Sequence, residues 1–267
     1  MPMVFLPYDR DALRREFQTA APFRHLVIES FLEDGFAAEV AAAFPSFEEA
    51  RAQGFEFNAV NERLKIQISD ASKFPAAIAR LDAALASPAF LADLEYITGI
   101  PGLLADEQLG GGGMHMTGPH GRLDVHVDFN YVDGRDLHRR LNILVYLNPG
   151  WDPNWGGAVE FWDRRVTKCH RSVSPLLNRC VLFETSAISF HGVQPVTSPP
   201  GVVRKSFAAY YYTRAAPEGW NGEKHSTIFR ARPDERFRRY VLMPAERLQR
   251  RGKDALRAVK RLVKRWL

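Results

Sequence analysis

Between about residue 105 and residue 214 the chain is written in short β-type runs, LDVHV, LNILVYL, AVEFW, CVLFE, ISFHGV and VVRKSFAAYYYT, set apart by Gly, Pro and Asn. Runs rich in β-branched and aromatic residues with turn-formers between them predict several short strands, and at this spacing a sandwich or barrel. Upstream the texture is helical. Residues 26–44 open like a short strand and continue with helix-spaced Phe36, Val40, Ala43 and Phe44 until Pro45. Residues 74–98 read as two helices, with Pro88 opening the second and Gly99 closing it. At 267 residues such a chain can bury roughly three quarters of its unfolded surface, so its two cysteines, Cys169 and Cys180, need not form a scaffold. The expected organisation is one compact α+β domain with a mainly β core. It divides into an α-rich N-terminal support layer (1–104), a β core (105–215), and a loop with a basic amphipathic C-terminal helix (216–267).

Charge is uneven. Residues 247–267 carry nine Lys or Arg against Asp254 alone, a net of +8, so the other 246 residues sum to −3 of the total +5. A mildly acidic body with a basic tail is not a general nucleic-acid binder. In that tail Leu248, Ala255, Leu256, Val259, Leu262, Val263 and Trp266 recur at helical spacing. Two readings stand side by side: the stripe lies on an anionic membrane surface, or it docks on the body of the protein. The first residues hold an apolar stretch of about five, broken by Asp9 and Arg10, too short for a secretory signal. No later run approaches the ~18 apolar residues of a membrane span. Cytoplasmic residence, peripheral at the inner membrane surface if the tail binds lipid, is the expectation, with both thiols reduced and unreactive.

In LDVHVDFN, His126 and Asp128 are two residues apart and so emerge on one face of a strand. His191, in ISFHGVQPV, offers a third ligand 63 residues later. Two histidines and one carboxylate make the facial set of non-haem Fe(II) oxygenases, which leaves three coordination positions for a chelating keto acid and O₂. Thirteen residues beyond His191, alternation in VVRKSFAAYYYT puts Arg204, Ser206, Ala208 and Tyr210 on one face. A guanidinium with a nearby hydroxyl suits the far carboxylate of a dicarboxylic keto acid. The strand LNILVYL aims Asn142 and Tyr146 to the same side as Leu144, toward the expected cofactor.

Blander readings accompany each of these. An isolated HxD is common by chance, and Asn142 and Tyr146 fit a half-buried polar strand face equally well. Tyr210 and Tyr212 read as core or rim aromatics. The glycines Gly110 to Gly113 lack the Lys-Ser/Thr of a phosphate loop and suggest a bulge or mobile loop, in which His115 and His120 read as solvated or structural.

Taken together, HxD, the distant His in HGVxPV and RxS on the next strand resemble the 2-oxoglutarate and Fe(II)-dependent dioxygenases, in their prolyl-4-hydroxylase-like branch. RRLNILVYLNPGWDPNWGGAVEFWD and PFRHLVIESFL extend the resemblance over residues 22–214. It implies a double-stranded β-helix, or jelly-roll, with His126, Asp128 and His191 on iron and Arg204 on 2-oxoglutarate. Ser206, Tyr146 and Asn142 would add co-substrate contacts, O₂ would be the second co-substrate, and ascorbate a reductant. Many prolyl hydroxylases carry Lys where Arg204 stands, a little closer to the distal His; here SPPG lengthens that loop. Related halogenases lack the carboxylate, so Asp128 implies hydroxylation of an unactivated C–H bond, on a peptidyl residue such as proline or on a small metabolite. The rival is a catalytically silent jelly-roll binding module that uses its basic helix to reach a membrane or an acidic partner.

Overall fold

The computed structural model describes residues 4–245; the basic segment 247–267 read above as an amphipathic helix lies outside them. Five helices, α1 (Arg10–Thr19), α2 (Asp34–Ala42), α3 (Phe47–Gln53), α4 (Ala76–Leu85) and α5 (Pro88–Thr98), belong to the N-terminal third. So do three strands, β1 (His25–Ile28), β2 (Phe55–Asn58) and β3 (Glu62–Ile68). The body follows with β4 (Leu104–Ala105), β5 (Gly113–Val127), β6 (Tyr131–Val132), β7 (Leu137–Tyr146), β8 (Val159–Trp162), β9 (Cys169–Val173), β10 (Cys180–Glu184), β11 (His191–Val193) and β12 (Arg204–Thr213). A last strand, β13 (Ile228–Arg230), comes after a loop.

Local chemistry explains the helix ends. Ser87 caps α5 by accepting from the Phe90 amide, Pro88 occupies the first turn where no amide donor is required, and Gly99 ends it in the left-handed region at φ 72°. Ser46 and Glu49 form a reciprocal capping box on α3. The pairs that join the strands are antiparallel, along the path β1-β10-β7-β12-β5-β11-β8-β9, with β3 and β13 also on β5. Strand β5 is 15 residues long. Its first half pairs with β12 and β3 and its second half with β11 and β13, so it carries the chain from the larger sheet to the smaller one. The result is the double-stranded β-helix that the sequence resemblance implied.

Period-two alternation sorts each strand of the larger sheet between two environments. Ile66 and Ile68, Met114 and Met116, Leu141, Ile143 and Val145, and Phe207, Ala209 and Tyr211 face the helices. There they pack with Val40, Ile78, Leu81, Phe90 and Leu94 in one apolar cluster. The opposite face of the same strands lines the interior cavity. Strand β1 sits where LVIES suggested, at the sheet edge on β10. The hairpin β2–β3 and strand β13 had no counterpart in the sequence reading, and both reach the cavity.

Candidate active site

His126 lies near the end of β5 and His191 opens β11, and the two are paired residues in the antiparallel ladder. Asp128 follows directly after β5. The ladder brings the two rings to 4.3 Å between centroids, and places His126 Nε2 3.5 Å from Asp128 Oδ1 and His191 Nε2 3.6 Å from Asp128 Oδ2. One ligand atom from each of the three lies within 4.8 Å of the others. Each Nδ1 is engaged by a backbone carbonyl two residues earlier, Asp124 O for His126 and Ser189 O for His191, both at 2.9 Å. Such a bond makes Nδ1 the protonated nitrogen, so Nε2 carries the lone pair turned inward.

Electrostatics keep the set ready to ligate. Burial, reinforced by the neighbouring His126, pushes His191 down to about 3, so its imidazole is neutral at physiological pH. Burial alone would raise Asp128, but Arg139, His126 and His191 together outweigh it and hold the carboxyl well below its usual range. Two imidazoles and one carboxylate, buried and converging, fit Fe(II).

The other end of the site is built on β12. Arg204 is buried, donates from Nε to Gly157 O at 2.7 Å and from Nη1 to Ser206 Oγ at 3.4 Å, and stands 5.0 Å from the Tyr146 ring centroid. Gly157 has φ 69°, and a Cβ there would sit 3.1 Å from Arg204 Cδ and 3.2 Å from the Trp151 ring, so glycine is what lets Arg204 lie along this turn. The Tyr146 hydroxyl is buried and has no hydrogen-bond partner among the described residues. Burial raises its pKa against the pull of Arg204, so it keeps its proton and can donate. A buried guanidinium beside an unmet hydroxyl fits the far carboxylate of 2-oxoglutarate.

Strand register extends this polar floor. Lys65, Thr117 and Arg204 are aligned across β3, β5 and β12, and Gln67, His115, Ser206 and Tyr146 form the next row, ending on β7. His115 is therefore a strand residue, buried and bonded to Gly111 O at 3.0 Å, and not a solvated loop histidine. The metal-ligand cluster and the Arg204 end share one cavity of about 280 Å³.

All seven residues singled out from the sequence line this cavity or, for Tyr146, lie buried against it. Asn142 is turned toward the metal end, where its Nδ2 donates to Asp128 Oδ2 at 2.7 Å. Arg139 and Phe229 are among the lining residues that the sequence reading did not single out. Arg139 stands 3.3 Å from Asp128 Oδ2, bonds Asn142 Oδ1 from Nε at 3.0 Å, and stacks on Tyr210 at 3.6 Å. Alternation from Asn142 places residue 139 on the far face, but a register shift opposite Tyr211 and Tyr212 turns it inward. Phe229 on β13 pairs with His126 and lies 5.3 Å from its ring.

Residues 112–212 match the 2OG-Fe(II) oxygenase superfamily. Over 78 residues, 28% of this chain, the sequence is 33% identical to prolyl 3-hydroxylase OGFOD1 of Mus musculus, and the match spans 14% of that relative's length. Among solved structures, a Pseudomonas putida prolyl-4-hydroxylase superposes with a TM-score of 0.55 at 18% identity, covering 76% of this chain and 99% of that one. A Trichoplax adhaerens prolyl hydroxylase in complex with a hypoxia inducible factor oxygen degradation domain peptide fragment gives 0.53 at 18% identity, covering 76% and 88%. These two likenesses concern the fold; the matched stretch contains His126, Asp128, His191 and Arg204. Residues 112–212 thus carry the match to the 2OG-Fe(II) oxygenase superfamily, on the double-stranded β-helix fold shared with these prolyl hydroxylase structures.

Proposed function

We propose that this protein is an Fe(II)- and 2-oxoglutarate-dependent dioxygenase that hydroxylates an unactivated C–H bond of a peptidyl substrate, with prolyl residues first among those to test. The observation that carries the reading is a His126, Asp128 and His191 cluster in the same cavity as Arg204 and the unmet Tyr146 hydroxyl. Iron bound there, with 2-oxoglutarate and O₂, supplies oxidative decarboxylation to succinate and CO₂ coupled to oxygen insertion into the substrate. The chain's part is placement. The two Nε2 atoms and Asp128 hold the metal, Arg204, Ser206 and Tyr146 orient the dicarboxylate, and the apolar walls of Leu144, Val159 and Phe183 exclude water.

The peptidyl assignment draws on the prolyl 3-hydroxylase relative and on the peptide complex of the Trichoplax structure. A small metabolite is the other outcome of a substrate screen. Incubation with Fe(II), ascorbate and 2-oxoglutarate releases succinate from the wild type, and His126→Ala releases none; equal release by both ends the reading. The silent-module alternative has no support, because the ligand set is complete. A mass gain of one oxygen atom on a proline-bearing peptide, or on a small molecule, names the substrate class.

The location we propose is cytoplasmic and peripheral to an anionic membrane surface. Phe237, Tyr240 and Val241 are exposed at the last described turns, and they lead into the +8 segment 247–267. Full-length protein then floats with anionic liposomes and a chain ending at Glu246 does not. Equal recovery of the two removes the membrane assignment and leaves the catalytic one untouched.

A further inference from the structure

Strand β13 separates two cavities. Phe229 lines the catalytic one, and Arg230 and Ala231 line a second, of about 320 Å³. Val166, Ala231 and Met243 are buried and give the second an apolar floor, while the exposed Arg165, Arg230 and Arg239 put three guanidiniums around it, beside Tyr240. Among the described residues no carboxylate lines it. Each wall is held in place. The turn 163–168 is wound on Asp163, whose carboxylate accepts from the Arg165, Thr167 and Lys168 amides and the Thr167 hydroxyl at 2.6–3.0 Å. Val166 stands in that turn at φ 56°, a left-handed conformation that a β-branched residue adopts only at a cost, and its side chain joins the floor while Arg165 stays exposed. Arg230 donates to Arg164 O at 2.8 Å and stacks 4.3 Å from the Phe190 ring centroid. The turn Arg238–Leu242 is pinned by Arg238, which pairs with the buried Asp124 and donates to Val60 O.

We propose that this second cavity binds the phosphate of a phosphomonoester lipid headgroup. The proposal rests on the membrane assignment above and narrows it from general attraction to recognition of one headgroup class. A phosphomonoester presents three terminal oxygens, which guanidinium forks meet through paired hydrogen bonds, where a headgroup carboxylate presents two. The occupant is a lipid because Phe237, Tyr240 and Val241 are exposed around Arg239, and the segment that follows carries +8 with an apolar stripe. A polynucleotide would use the arginines and leave Val241 and the aliphatic stripe without a partner.

Flotation of the full-length chain on two sets of vesicles tests this. One is phosphatidylcholine carrying phosphatidic acid, the other phosphatidylcholine carrying phosphatidylserine, and the two are matched in surface potential. The wild type is expected to reach half recovery at about tenfold less phosphatidic acid vesicle than phosphatidylserine vesicle. The double variant Arg165→Gln, Arg239→Gln loses some recovery on both and brings their ratio to about one. The double variant Lys168→Gln, Arg236→Gln removes the same charge outside the cavity and keeps the tenfold ratio. All four side chains are exposed, so circular dichroism and thermal melts of both variants match the wild type. A wild-type ratio near one, or a tenfold ratio that survives Arg165→Gln, Arg239→Gln, overturns the cavity proposal and leaves the membrane assignment standing. Calorimetric binding of glycerol 3-phosphate together with a wild-type ratio near one also overturns it, and gives the cavity to a soluble phosphate. A full-length chain that floats on neither composition removes the membrane assignment, and the proposal with it.

Discussion

On strand β12, Phe207, Ala209 and Tyr211 face the helices, whereas Arg204, Ser206 and Tyr210 face the cavity. Two tyrosines show what separates the faces. Tyr211, on the helix side, is fully buried and donates its hydroxyl to Leu85 O at 3.0 Å; Tyr146, equally buried on the cavity side of β7, has no partner for its own among the described residues. One face is complete in itself and holds the fold. The other leaves the Tyr146 hydroxyl unmet, where a bound ligand would supply its partner.

The comparison makes opposite demands on substitutions only three residues apart. Arg204→Ala removes the guanidinium from the cavity face and weakens 2-oxoglutarate binding by about 30-fold to a few thousand-fold, the equivalent of roughly 2–5 kcal/mol. Its melting temperature stays near wild type, and calorimetry with a thermal melt reads both. Phe207→Ala empties a site in the helix-facing core and costs about 3–5 kcal/mol of stability by denaturant titration. Below its transition it binds 2-oxoglutarate as the wild type does. A loss of binding in folded Phe207→Ala would show that the two faces are not separable.

Much of this division was readable before any coordinates. Alternation placed Asn142, Tyr146, Arg204 and Ser206 on one face of their strands, and the HxD spacing placed His126 and Asp128, because extended backbone repeats every two residues. Arg139 was not readable, since one irregularity in the β7–β12 ladder reverses the parity of everything before it. His115 was hidden by the glycines that precede it: Gly113 already begins β5 at φ 91°, with the Ile68 carbonyl where a Cβ would be, a tertiary demand invisible in local sequence. Phe229 follows a Pro- and Gly-punctuated loop in a strand of three residues, too short for alternation to register.

Smaller effects sharpen the picture where the faces meet. Gly157→Ala forces a side chain at φ 69° against Arg204 and Trp151, so about 1–3 kcal/mol of stability is lost, together with part of the 2-oxoglutarate affinity. A substitution that costs stability with unchanged affinity would show that Arg204 does not depend on this turn. Acidification probes the metal end. In the metal-free protein the unfolded His191 takes a proton below about 6.5, while the folded one resists down to about 3. The unfolded state therefore binds more protons throughout that window, and stability falls as pH drops through it, by about 1.4 kcal/mol from this group between pH 7.5 and 5.5. Saturating metal, which binds only the neutral imidazole, keeps the folded-state proton off and leaves that dependence in place.

The central claim is that one cavity holds a metal on His126, Asp128 and His191 and a dicarboxylate on Arg204. Crystals grown without O₂ in Mn(II) and 2-oxoglutarate test it most directly. The account predicts an anomalous peak bonded to the two Nε2 atoms and the Asp128 carboxylate, with the far carboxylate of 2-oxoglutarate paired to Arg204 and accepting from the Tyr146 hydroxyl. A metal bound elsewhere, or a co-substrate that leaves Arg204 and Tyr146 untouched, would contradict it.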